Sequence, residues 1–139
     1  MKPGVLCDTN IFVSAFIAGG PPSRLIDSAI DSRIELVLAD PVLDELKRVL
    51  TNKLGLAPDR VEETTTLLHE LATERIPIPA GSVPPISGDS DDDLILACAV
   101  HAGVHILVSG DRKHLLPLRE HEDVRIITAQ TLLAELVGA

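Results

Sequence analysis

Acidic side chains recur at places where this sequence otherwise reads as buried. Asp8 closes the apolar run Val5-Leu6-Cys7 and is followed at once by Thr9 and Asn10. Glu45 shares a helical stripe with Val42 and Val49, at the edge of an apolar face. Asp89, Asp91, Asp92 and Asp93 crowd the mouth of the apolar stretch Leu94-Ile95-Leu96-Ala97-Cys98-Ala99-Val100. Asp111 follows Ile106-Leu107-Val108 and the turn residues Ser109 and Gly110. A carboxylate beside apolar surface is costly unless it is paired or bound to a metal. A donor set made only of oxygens suits Mg2+ or Mn2+ better than zinc. The expected chemistry is therefore that of a divalent cation, which offsets the acidic charge and recruits phosphate.

Each acid also has an ordinary use. Asp8 or Thr9 is placed to cap the helix that follows. Asp44, unlike Glu45, lines up with Lys47 and Arg48 on a solvated face. Acids favour the first turn of a helix through its dipole, and Ser90 with Asp93 matches a capping box. Asp111 is equally placed to cap a short helix over 112–119. Spacing does not choose among Asp89, Asp91, Asp92 and Asp93, because the helix behind them is apolar nearly all round. The five histidines show no ligand spacing: His101 and His105 are four apart, but Gly103 separates a helix end from a strand. There is no Gly-x-x-x-x-Gly-Lys loop and no serine nucleophile elbow.

The elements that must position these acids alternate. Residues 4–8 read as a strand, 9–18 as a helix ended by Gly19-Gly20, and 21–32 as a second helix opened by Pro21-Pro22. Residues 34–39 form a near-continuous aliphatic strand, suited to burial on both faces. Asp40-Pro41 reads as N-cap and first residue of a helix running to Leu54, and 59–75 as a further amphipathic helix. Residues 76–78 suit a short edge strand inside a proline-rich connection over 76–88. A buried helix over 90–102, a strand over 105–109, a strand over 124–127 and a closing helix over 128–137 complete the chain. This alternation implies a mainly parallel sheet covered on both faces, with ligands beyond the carboxyl ends of its strands.

With 139 residues, one domain spanning 1–139 is the expectation, large enough to bury a core without staples. Its apolar content is aliphatic, with Phe12 and Phe16 as the only aromatic residues. No apolar run approaches the ~20 residues of a membrane span, and the N-terminus does not read as a signal peptide. Cys7 and Cys98 lie in apolar segments, as buried thiols in a reducing cytoplasm would. A net charge of −9 argues against a protein that coats nucleic acid non-specifically. It does not exclude a nuclease, whose metal site is itself a negative cluster.

Taken in order, the segments "LCDTNIFVSA", "ADPVLDELKRVL", "GDSDDDLILACA" and "ILVSGDRKHL" resemble the PIN-domain family, and most closely its VapC-like toxin branch. The resemblance covers essentially the whole chain. It implies a three-layer Rossmann-like fold with strand order 3-2-1-4-5 and Mg2+- or Mn2+-dependent cleavage of RNA. It assigns the catalytic and metal-binding positions to Asp8, Glu45, Asp92 and Asp111, with Asp89 and Asp93 as secondary candidates. Thr9, Asn10 and Ser109, the last in place of a frequent threonine, would position water or phosphate. Arg24, Lys47, Arg48, Arg112 and Lys113 are candidates for contact with the RNA backbone. The resemblance further implies a small antitoxin partner, a homodimer and a cytoplasmic location. The rival expectations are a non-catalytic binding module of the same fold and an Asp-based phosphotransfer domain. The second is disfavoured by Asn10, which stands where a dehalogenase-like phosphatase needs a second Asp.

Overall fold

Val5, Leu6 and Cys7 leave no side for water: strand β1 (Gly4–Cys7) is buried along its whole length at the centre of a sheet. The architecture is that of a computed structural model, which describes residues 2–138. After β1 come α1 (Thr9–Ile17), α2 (Gly20–Ile30), β2 (Glu35–Ala39), α3 (Asp40–Arg48), α4 (Pro58–Leu71), β3 (Glu74–Ile76), α5 (Ser90–Ala102), β4 (Ile106–Val108), β5 (Glu120–His121), β6 (Val124–Ile127) and α6 (Ala129–Gly138). Among the described residues the sheet order is β3-β2-β1-β4-β6-β5. Every pairing is parallel except that of β5 with β6. The helices complete a three-layer α/β fold of the expected class. The expected five-strand order is present with Val124–Ile127 as its fifth strand. The added edge strand β5 is two residues long, too short to show an alternation in the sequence.

The chain runs outward from β1 through β2 to β3, then returns to place β4 on the other flank of β1. Strand order therefore reverses between β1 and β4, the position where sheets of this kind open a crevice. Cys7 is in register with Val108, and the Asp8 N–H donates to the Val108 carbonyl at 2.9 Å. The residues just beyond these two strand ends, Asp8 and Ser109, are thereby brought side by side.

Helix α5 holds the third acidic segment against this edge. Ile95, Leu96, Cys98 and Ala99 are buried, each large aliphatic side chain contributing about 1.5–3 kcal/mol. Gly103, at φ 68°, closes the helix in the left-handed conformation that glycine adopts freely.

Several boundaries differ from the sequence expectation. Asp40 is the first helical residue of α3 and not its cap, and its carboxylate accepts from Arg75 Nε at 2.6 Å. The end of α3 widens into a π-helical turn over Val49–Lys53, where an uninterrupted α-helix was expected. Helix α4 stops at Leu71, because Thr73 to Ile76 leave it to run along β2 and extend the sheet. The edge strand accordingly lies at Glu74–Ile76, ahead of the expected 76–78. In place of a helix over 112–119 the chain forms turns and a 3-10 segment at Leu116–Leu118, as Pro117 discourages regular helix. Among the described residues no helix is long and apolar enough to cross a membrane. Both cysteines are buried free thiols.

Candidate metal centre

The acids meet in a cleft of about 530 Å3 at the carboxyl edge of the sheet. Asp8 enters from the end of β1, Glu45 from α3, Asp89, Asp91 and Asp92 from the start of α5, and Asp111 from the turn after β4. Four sequence-distant segments thus place carboxylates around one space, among them Asp8, Glu45, Asp92 and Asp111.

Most of these carboxylates are aimed by a hydrogen bond to one oxygen only. Asp8 is the N-cap residue of α1 but makes no side-chain cap bond. Its Oδ2 instead accepts from the buried Ser109 hydroxyl at 2.9 Å. Ser109 Oγ in turn accepts the Asp111 N–H at 3.0 Å, so one hydroxyl ties the two strand-end acids together. The buried Thr9 hydroxyl donates to Glu45 Oε2 at 3.0 Å, fixing α3's acid to the start of α1. Asp111 Oδ1 accepts the N–H groups of Lys113 and His114, while Oδ2 turns toward the His114 ring. Asp89 is the true cap of α5: its Oδ1 accepts from the Asp91 and Asp92 amides. These bonds fix the carboxylates of Asp8, Glu45, Asp89 and Asp111 at the lining of the cleft.

Asp93 belongs elsewhere. It is buried, and its Oδ1 accepts from the Ile86 N–H, the Ser87 N–H and the Ser87 hydroxyl. Burial opposes its charge, but these three bonds and the His114 ring outweigh that and hold its carboxyl below the usual range. Asp93 therefore fastens the proline-rich connection to α5, and neither the capping box with Ser90 nor a secondary place in the cleft applies to it.

Crowding shows in the proton affinities. Burial drives the Asp8 carboxyl above its ordinary value, against the Ser109 hydroxyl and the Thr9 backbone, with repulsion from Glu45 and Asp111 adding to the rise. Asp92 is pushed up to about 8, first by burial, then by the adjoining Asp111, and further by Asp8 and Asp89. Burial works against charge on Asp111 too. There the Asp92 carboxyl as donor, the His114 and Lys113 amides and the His114 ring prevail and hold it low. The two adjoining carboxyls are thus displaced in opposite directions, Asp92 upward and Asp111 downward. Mutual repulsion among carboxylates that line one cleft is what a divalent cation relieves, so the donor set is suited to one.

His114 joins these acids without any ligand spacing to mark it in the sequence. Its Nδ1 lies 3.4 Å from Asp92 Oδ2 and 3.5 Å from Asp111 Oδ2. The one available signal was its place three residues after Asp111, on the turn which that carboxylate caps. Asn10 is exposed and lines the cleft, as does Ser14 one helical turn further on. The candidate basic residues Arg24, Lys47, Arg48, Arg112 and Lys113 are all exposed. Of these, Arg48 lines a smaller pocket that shares Glu45 and Asp91 with the cleft.

Comparison with known proteins agrees with this architecture. PAE2754 from Pyrobaculum aerophilum has a similar structure, with a TM-score of 0.64 at 16% identity over 99% of this chain and 91% of that one. The crystal structure of VapBC2 from Rickettsia felis, bound to a DNA fragment from their promoter, gives 0.58 at 15% identity over 88% and 96%. At such identities the likeness is one of fold. A comparison with curated protein sequences finds no match. The PIN-domain family model matches residues 4–113, from the first residue of β1 to the turn beyond Asp111, and so takes in every acid of the cleft. The chain belongs to the PIN-domain family.

Proposed function

We propose that this protein is a Mg2+- or Mn2+-dependent endoribonuclease that hydrolyses RNA phosphodiester bonds in the acidic cleft, and that it is the toxin of a toxin–antitoxin pair. The observation that carries the reading is the convergence of Asp8, Glu45, Asp92 and Asp111, from four distant segments, on the lining of one cleft. Asp8, Asp92 and Asp111 would hold the cation, with Glu45 holding a second ion or orienting the attacking water. When bound, the cation lowers the pKa of water and offsets charge developing on the phosphate.

The chain's own residues supply positioning. Ser109 sets the relative placement of Asp8 and Asp111, and Thr9 sets Glu45. Asn10 presents an amide at the cleft for a phosphate oxygen or water. Lys47, Arg48, Arg112 and Lys113 are the exposed basic residues nearest in sequence to cleft residues, and they would contact the RNA backbone. A chain of net charge −9 repels a polyanion, so the cation serves binding as well as chemistry.

Family membership and the fold shared with VapBC2 support the toxin role. The partner would be a small antitoxin that inserts a basic side chain into the acidic cleft. The protein would act in the cytoplasm as a homodimer. The test is a nuclease assay on a panel of RNAs with Mn2+, Mg2+ or chelator, comparing wild type with Asp8→Asn and Asp92→Asn. Metal-dependent cleavage lost in both variants is expected. No cleavage, with calorimetry also detecting no Mn2+ binding, would sink the reading.

A further inference from the structure

The acids of the cleft are all oxygen donors, but the geometry brings a nitrogen among them. We propose that His114 is a ligand of the cation, alongside Asp89 and Asp92, and that it tilts the site away from Mg2+ and toward transition-metal ions such as Mn2+. The proposal rests on reading the cleft as a metal centre, and deepens that reading.

One ligand atom from each of Asp89, Asp92 and His114 can be chosen so that all lie within 4.8 Å of one another. Donors about 2.0–2.2 Å from a shared ion are separated by at most about twice that distance, so one ion can reach all three with small adjustments. His114 Nδ1 stands almost equally far from Asp92 Oδ2 and Asp111 Oδ2, at 3.4 and 3.5 Å. Both separations exceed a good N–H···O hydrogen bond. The ring therefore faces the space between two carboxylates without being committed to either.

The ring is also held in place. The His114 backbone N–H donates to Asp111 Oδ1 at 3.1 Å, and the next residue, Leu115, is fully buried. On another side the ring edge lies against Gly88, where a Cβ would stand 3.7 Å from His114 Cδ2. Asp89 is fixed by its bonds to the amides of α5, which occupy Oδ1. Asp89 is thus oriented before any ion arrives, and the backbone that carries His114 is anchored.

The chemical consequence follows from donor type. Mg2+ prefers oxygen ligands and retains its water, whereas imidazole nitrogen is a good donor to first-row transition ions. Replacing one oxygen by His114 raises the affinity for Mn2+ relative to Mg2+, and more so for the later ions of the series.

Pulsed electron paramagnetic resonance on the full chain with substoichiometric Mn2+ reads this directly. Wild type is expected to show 14N modulation from a coordinated imidazole, changing to the 15N pattern when histidine is isotopically labelled. His114→Gln is expected to bind Mn2+ without that modulation. Its Mn2+-to-Mg2+ affinity ratio by calorimetry should fall by about tenfold, the scale of losing a metal-orienting group. Bound Mn2+ without nitrogen modulation in wild type overturns the role of His114 and leaves the metal centre standing. Modulation that persists in His114→Gln overturns it equally. Failure of wild type to bind Mn2+ overturns both, and the wild-type spectrum decides even where the variant does not fold.

Discussion

Asp92 is the acid on which repulsion in the cleft concentrates, and replacing it by asparagine turns that repulsion into a measurable gain. Its carboxyl is raised from 3.8 to about 8, chiefly by burial and then by Asp111. Between those two values the folded protein binds a proton that the unfolded chain has released. Stability must therefore fall as pH rises through this window. Between 3.8 and pH 7 the stability lost through Asp92 has a ceiling of ~4 kcal/mol, at about 1.4 kcal/mol per pH unit. The cleft is open to water, and screening reduces this to roughly 1–2 kcal/mol. For a chain of this size that is a shift of roughly 3–8 °C in Tm. Calorimetric melting in chelator from pH 5 to 8.5 is the assay. Wild type should lose stability across the range, while Asp92→Asn should lose less and melt higher at pH 8. Added Mn2+ should stabilise wild type and leave the variant nearly unmoved. Parallel pH profiles, or a variant that melts lower at pH 8 in chelator, would refute the assignment of the repulsion to Asp92. Asp111 does not confuse the test: its lowered value contributes stability above 3.8 that is lost only in more acidic solution.

Ser109→Ala removes a fully buried hydroxyl that donates to Asp8 and accepts from the Asp111 amide, so denaturant unfolding should show a loss of about 2 kcal/mol. Mn2+ affinity should weaken about tenfold with it, whereas Ser109→Thr, which keeps the hydroxyl, should retain both. Asp93→Ala strips the proline-rich connection of three hydrogen bonds. Proteolysis within residues 79–87 should accelerate, with Mn2+ stoichiometry unchanged. Cys7 is held far above its ordinary value by burial and by Asp8, and Cys98 is pushed up to about 11 by burial first. A thiol reagent at pH 8 should therefore label neither in the native protein and both after unfolding.

The order of elements was legible because aliphatic strands, proline starts and glycine stops mark it locally. The meeting of Asp8 with Asp111 could be anticipated from a general rule about strand ends, and the structure supplies the register that places them together. What stayed hidden depends on partners distant in sequence. Asp92 and Asp93 look alike in a helix that is apolar on every side, and only the fold of residues 86–87 shows which one is occupied there. His114 gains its neighbours from α5, across a turn that read as a short helix. The early end of α4 reflects sheet pairing of Glu74–Ile76 winning over helical periodicity.

The bond between Ser109 and Asp8 spans 101 residues of sequence. During synthesis the first acid of the cleft leaves the ribosome about a hundred residues ahead of its tether. Its tether and the Asp111 carboxylate emerge only after β4 has been made. No nascent chain that lacks β4 and the turn after it can assemble the four-segment cleft.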